Sequence, residues 1–234
     1  MTAEAIRLGA GSAPRLRDNV ERLRSRVAGR LQLGLHASFT RYGLCRDLAA
    51  PLELPKAKIP ITVRPLQERD FAALFATGKD QALGDRMEAA VRLAFIAKGA
   101  RRGFVAADTR SDTACYVQWL FGAQDNDFIR RLKGFPPLEE GQALLENAYT
   151  PPAYRGLGIM SAAMALIAER ATGIGARQVF TFVGVDNIAS LKGCQRAGFH
   201  PVLLHDCVRL GFGLLRRDRF ETLPDADPRR TVKF

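Results

Sequence analysis

A strand-like run, Ala143-Leu-Leu-Glu-Asn-Ala-Tyr-Thr150, stops at Pro151-Pro152 and leads through Ala-Tyr-Arg155-Gly156-Leu157-Gly158-Ile159-Met160 into Ser161 and an Ala- and Met-rich helical segment. The chemistry offered by that order is anion binding. A glycine-rich turn that launches a helix aims consecutive backbone N–H groups and the positive end of the helix dipole at one place. Glycine lets the backbone come close to an anion and adopt positive φ, and Arg155 adds a charged donor. The alternative is a tight turn whose small residues serve only close packing. Neither GxxxxGK[ST] nor GxGxxG occurs in this stretch, so it is not one of the nucleotide loops with those signatures.

Metal chemistry finds less support. The four cysteines, Cys45, Cys115, Cys194 and Cys207, have no CxxC spacing, the histidines are only His36, His200 and His205, and no metal site is expected. Disulfides are not expected either.

The elements that must position the turn can be read from periodicity. With 234 residues, 47% of them hydrophobic and 25% charged, the chain falls in the globular class, as one domain with extensions or two small ones. No window is apolar enough to span a membrane, and the first residues do not read as a secretory signal, so a cytoplasmic setting is expected. The formal charge of +11 is concentrated at the two ends and would attract phosphate, whether of nucleic acid, anionic lipid or a phosphorylated cofactor. Leu16, Val20, Leu23, Val27, Leu31 and Leu35 recur at helical spacing among arginines, which predicts a basic amphipathic helix, with a second turn from His36 to Cys45. A Pro-rich linker follows. Residues 1–55 are thus expected as a helical arm and linker, 56–220 as the main domain and 221–234 as a polar tail.

Within the main domain, strands are expected near 59–66, 103–108, 114–121, 143–150, 178–185, 201–205 and 207–214. Helices are expected from 68, over 85–98, 127–132 and 161–172, and over 187–197 before Gly198. The apolar run at 178–185 suits a strand buried on both faces. The Pro-containing insertion at 124–141 is expected to cover something. Trp119, Phe121 and Tyr116 either border an acceptor site or belong to the core.

The stretch from Arg155 to Met160 resembles the pyrophosphate loop of the GNAT superfamily of acyl-CoA-dependent N-acetyltransferases, whose pattern is Arg/Gln-x-x-Gly-x-Gly/Ala between the fourth strand and the following helix. Arg155, Gly156 and Gly158 fit, and Met160 stands in the last small position. Further on, Val183-Gly-Val-Asp-Asn187-Ile-Ala-Ser190-Leu-Lys-Gly-Cys194-Gln-Arg-Ala-Gly198-Phe199 resembles the family's strand-Asn-helix-Gly-Phe signature. The resemblance extends over about 59–215. It implies an α/β (α+β) fold with a mixed, mostly antiparallel sheet, splayed fourth and fifth strands and flanking helices, to which the helical arm is added.

The resemblance also implies direct attack of an amine on a thioester carbonyl, with acetyl-CoA or another acyl-CoA as co-substrate and no metal. The pantetheine arm would fill the gap between 143–150 and 178–185. Ala148, Tyr149 and Thr150 would bond its amides through their backbone, with an N–H near Tyr149 polarising the carbonyl. Arg155, Gly156, Leu157, Gly158, Ile159, Met160 and Ser161 would hold the diphosphate, and Asn187 and Ser190 would lie on the opposite side. Asn187 is equally suited to capping the helix. Cys194 occupies the position where the family has a tyrosine acid, and is either a weak acid or a small core residue, in which case water, Tyr149 or Tyr154 supplies the proton or none is required. Glu146 is either the general base, through a carboxyl raised by burial, or an ordinary solvated glutamate, with His205 as fallback.

Two further readings stay open: transfer of longer acyl groups from acyl-CoA or a carrier protein, and a non-catalytic acyl-CoA sensor. The acceptor is a small-molecule or lipid amine. The arm would serve a homodimer or a peripheral membrane contact, and nucleic acid is not expected as a partner.

Overall fold

The computed structural model describes residues 34–75 and 83–234. The expected helix from Leu16 to Leu31 lies outside them. Eight strands form one sheet in the order β2-β3-β4-β5-β6-β1-β7-β8. They are β1 (His36–Asp47), β2 (Ile61–Pro65), β3 (Gly103–Asp108), β4 (Thr113–Gly122), β5 (Gln142–Tyr149), β6 (Gln178–Gly184), β7 (His200–Leu210) and β8 (Leu215–Thr222). The helices are α1 (Phe71–Phe75), α2 (Leu83–Ala97), α3 (Asn126–Leu132), α4 (Ile159–Glu169) and α5 (Ile188–Arg196). None of the described helices is long and apolar enough to cross a membrane.

The segment from His36 to Cys45 corrects an expectation: it is strand, not helix. β1 pairs antiparallel with β6, Arg41 opposite Gly184 through Asp47 opposite Gln178. Its alternation is hidden in the sequence because Arg46 points inward, 3% exposed, where it pairs with Glu169 and donates to the Ala165 carbonyl. The segment expected as a linker is also docked, with Leu52, Ala57 and Ile59 packed on the core and Lys58 N–H donating to the Leu157 carbonyl. A further correction concerns the end of the domain. The strands expected at 201–205 and 207–214 are one strand, β7. The chain turns instead at Gly211-Phe212-Gly213, all at positive φ. The expected polar tail begins inside β8 and ends with Phe234 against Tyr42, ring centroids 5.6 Å apart.

The chain divides into two compact units. Among described residues, the smaller holds 34–39 and 207–217; there Gly211 N–H donates to Leu35 and Phe212 N–H to Gly34. The larger holds 40–206 and 218–234, and its sheet buries a core on each face. One core packs β4 and β5 against α4 and α5 through Leu120, Leu145, Ile159, Met164 and Leu191. The other packs Val117, Trp119 and Phe121 against Leu74, Phe95 and Phe128 of α1, α2 and α3. Trp119 and Phe121 are thus core residues: the Trp119 and Phe95 rings meet edge-on at 5.3 Å and Phe121 stacks on Phe128 at 5.1 Å.

The expected insertion forms α3 and a loop. Both are fastened: the Asn126 side chain exchanges two 2.8 Å hydrogen bonds with the Leu138 backbone, and Arg41 donates to the Gly134 carbonyl. The loop roofs a cavity of about 420 Å³ floored by Leu144, Phe180 and Phe182.

Candidate active site

The site begins where two neighbouring strands part. β5 and β6 run parallel and pair only at Gln142–Gln178, Ala143–Val179 and Leu144–Phe180. Beyond Leu144 the ladder ends and the sheet opens, as the resemblance implied for these two strands.

A bulge on β5 sets what faces the opening. Trp119 of β4 lies opposite Glu146, and Val117 opposite Tyr149, so β5 carries one residue more than its partner over this interval. Asn147 takes up the extra length at φ +60, a left-handed conformation that asparagine tolerates better than most residues. The bulge reverses the facing that strict strand alternation would give, in which Tyr149 lies on the same face as Leu145. Leu144 and Leu145 pack on opposite cores, and past the bulge Tyr149 packs with Leu144 rather than Leu145.

The mouth of the opening is a cavity of about 760 Å³. Of the residues assigned to the acyl-CoA, Ala148, Tyr149, Thr150, Arg155, Gly156, Gly158, Ile159, Met160, Ser161, Asn187 and Ser190 all line it. Leu157 does not; its carbonyl is the acceptor for Lys58 N–H. Gly156 and Gly158 have φ of +76 and +72, and a Cβ on Gly156 would find nothing within 4 Å. A Cβ on Gly158 would instead meet the Lys56 carbonyl at 3.3 Å. Gly158 caps α4 in the left-handed region with no side-chain hydrogen bond to the first turn, so α4 presents its leading N–H groups without a cap. Met160 is accommodated by the neighbouring helix, since a Cβ on Gly193 would lie 3.0 Å from its sulfur. The start of α5 differs: the Asn187 side chain accepts from Ser190 N–H at 3.1 Å. Asn187 is therefore a helix cap that also lines the cavity.

Among the lining residues that the sequence reading did not assign to the acyl-CoA are Arg92 and Arg196, and Tyr116, expected either at an acceptor site or in the core, lines the cavity as well. Arg92 and Arg196 join Arg155, whose guanidinium donates to the Thr150 carbonyl at 3.1 Å. The Arg92 guanidinium lies 3.7 Å from the Tyr149 ring centroid. Three arginines lining the same cavity as uncapped helix N–H groups are complementary to a diphosphate, so the residues present fit the phosphorylated end of an acyl-CoA. Arg196 had a legible signal, a cation on the helix that follows Asn187. Arg92 had none, because α2 is distant in sequence.

Glu146 sits at the fork between the strands. Its Oε2 is buried with no hydrogen-bond partner among the described residues. Burial raises its carboxyl to about 7, against the opposing pull of the Arg41 charge and the Asn147 N–H. That favours the first of its two sequence readings, a proton acceptor matched to neutral pH.

Cys194 is corrected to a core residue. It is fully buried, its thiol donates to the Met164 sulfur at 3.7 Å, and burial pushes it up to about 12. His205 is likewise committed. Arg41 Nε donates to its Nδ1 at 3.1 Å, which leaves Nε2 to carry the proton toward Asp218 at 2.7 Å, and the ring stacks on Phe220 at 4.5 Å. With both nitrogens engaged and no exposure, it does not act as the fallback base. Among the described residues no cluster could hold a metal ion.

Comparison with known proteins agrees with this geometry. Residues 85–199 match the model of the Acetyltransferase (GNAT) family, which marks that segment as a GNAT acetyltransferase domain. The glucosamine N-acetyltransferase region of a fungal multi-domain GH3 β-N-acetylglucosaminidase shares the fold at TM-score 0.53 and 14% identity, over 79% of this chain and 22% of that one. A GCN5-related N-acetyltransferase from Sphaerobacter thermophilus gives TM-score 0.45 and 17% identity over 78% and 56%. A GNAT-family acetyltransferase from Brucella melitensis, solved with acetyl-CoA, gives 0.37 and 16% over 56% and 81%. The chain thus spans little more than half of the Sphaerobacter protein. No curated protein matches it.

Proposed function

We propose that the protein transfers an acetyl group from acetyl-CoA to a primary amine by direct attack. The observation that carries this reading is the opened β5–β6 fork, which joins a proton acceptor at its base to a diphosphate cradle at its mouth. Arg155 and the backbone from Gly156 to Ser161 bind the diphosphate, with Arg92 and Arg196 on the rim. The backbone of Ala148 to Thr150 holds the pantetheine arm, and the N–H near Tyr149 steadies the negative charge that develops on the carbonyl oxygen. Glu146 accepts the proton that an alkylammonium must lose before attack.

The test has two parts. Thermal-shift titration with CoA, acetyl-CoA and longer acyl-CoAs should raise the melting midpoint, since a ligand that binds only the native state stabilises it. Thiol release from acetyl-CoA over a panel of amines should then show turnover. No shift with any of these ligands overturns the reading. A shift that is larger for long chains would favour longer acyl transfer, and a shift with thiol release silent across the panel would favour a sensor.

A further inference from the structure

Cys194 leaves the reaction without a proton for the departing sulfur on the helix side of the cleft. The cleft contains another candidate. Tyr116 of β4 is fully buried yet lines the 760 Å³ cavity together with Tyr149, Met160 and Gly193. It projects from the α4 and α5 side of the sheet, near enough to Cys194 for the two groups to interact electrostatically. The other phenols near the opening are placed differently. Tyr149 packs on the opposite core with the Arg92 guanidinium over its ring; Tyr154 lines the same cavity and packs on the same core as Tyr116, but from the short turn that precedes Arg155 and only partly buried.

The partner of the Tyr116 hydroxyl is also unusual. Its O–H donates to Gln118 Oε1 at 2.8 Å, two residues along the same strand face, while Gln118 Nε2 is buried with no partner among the described residues. A buried amide with an idle donor is costly unless that donor is used at some stage. Rotation of the amide by half a turn presents Nε2–H to the phenol oxygen instead of Oε1. Gln118 thus suits two states of its neighbour: it accepts from a neutral phenol and donates to a phenolate.

We propose, on the basis of the acetyl-transfer reading above, that Tyr116 donates its proton to the departing thiolate and that Gln118 positions it and stabilises the phenolate left behind. The amine nitrogen bonds to the carbonyl carbon, the carbon–sulfur bond breaks with its electron pair on sulfur, and the sulfur takes the Tyr116 proton. The proton lost by the amine resides on Glu146, and solvent restores Tyr116. Burial keeps the phenol protonated well above its ordinary range, and the same dry surroundings make a thiolate a stronger base, so donor and acceptor are shifted in the same sense.

The test compares the binding of CoA and desulpho-CoA to the full chain by calorimetry at about pH 9, where much of the free thiol is ionised. A phenol aimed at sulfur should make wild type prefer CoA by about tenfold, the scale of a hydrogen bond to a charged group. Tyr116→Phe should reduce that preference to within about twofold, while Cys194→Ala retains it. If Tyr116→Phe strands Gln118 and lowers stability, the double variant Tyr116→Phe with Gln118→Met removes both groups and gives the same reading. With an active amine in hand, Tyr116→Phe should lower kcat by about a hundredfold and leave the KM for acetyl-CoA within twofold. An unchanged preference in Tyr116→Phe overturns the inference but leaves acetyl transfer standing. Loss of the preference in Cys194→Ala assigns the sulfur contact to the thiol and likewise overturns it. Failure of wild type to bind either ligand overturns both.

Discussion

The lower and upper halves of the β5–β6 seam are built from the same two strands and do opposite work. In the lower half, Ala143 and Leu144 pair with Val179 and Phe180 and are fully or almost fully buried among apolar neighbours. In the upper half the ladder ends, a bulge at Asn147 turns the strand, and Glu146, two residues past the last pair, has one carboxyl oxygen buried and unpartnered among the described residues. The lesson is that the site is an interruption of a sheet, held open by the packing below it. Apolar burial and paired backbone fix the hinge of the fork, and the polar groups that hydrogen bonding would otherwise satisfy are left for a ligand.

The contrast can be broken most severely at Glu146. Glu146→Gln should lower kcat by about 10²–10⁴-fold with little change in acetyl-CoA binding, measured as thiol release at saturating donor. Wild-type kcat should rise with pH through about 7, as the carboxyl loses its proton; a flat profile across that range would remove Glu146 as the base. Stability carries the opposite sign. Because the folded carboxyl holds its proton more tightly than the unfolded one, its favourable contribution is complete below about 4.5 and is lost as pH rises through about 7. Glu146→Gln should therefore melt higher than wild type at pH 8, with the difference fading toward pH 4.5.

Below the fork, Leu144→Ala should cost about 2–5 kcal/mol in denaturant unfolding. Acetyl-CoA affinity of the protein that remains folded should change little, which separates the hinge from the site. At the mouth, Gly158→Val should weaken CoA binding by about 1–3 kcal/mol, because a β-branched residue is strained at φ +72 and its Cβ presses on the Lys56 carbonyl. Arg155→Ala falls in the same range through loss of one charge-assisted contact. The smallest effect belongs to the bulge: Asn147→Val should destabilise by about 1–2 kcal/mol, and Asn147→Gly by no more than a few tenths. Equal costs for the two would mean that the positive φ is not what holds the bulge.

Much of this seam is legible in the sequence. The strand before Pro151, the glycine turn and the following helix are local patterns, and the helix–strand–helix order around Asn187 is carried by periodicity and cap residues. Glu146 could be singled out as a carboxyl on the strand beside the turn, but its burial could not. β1 was misread because Arg41 and Arg46 interrupt its apolar alternation, and the reasons they are tolerated there, the Gly134 carbonyl, His205 and Glu169, are contributed by distant segments. The turn at 211–213 was missed because its glycines stand beside apolar residues that also suit a strand.

The sequence alone determined the local matters: which segment starts a helix without a side-chain cap, where glycine permits positive φ, and which helix Asn187 caps. These depend on residues within a few positions of one another, so short-range sterics and hydrogen bonding suffice to specify them. Only the tertiary structure decided that β1 joins the sheet beside β6, that Asn147 reverses the facing of Tyr149, that Cys194 is core, and that Tyr116 and Arg92 enter the cleft. Those outcomes turn on desolvation and on partners far away along the chain, and no local pattern encodes which remote group will meet a buried charge or hydroxyl.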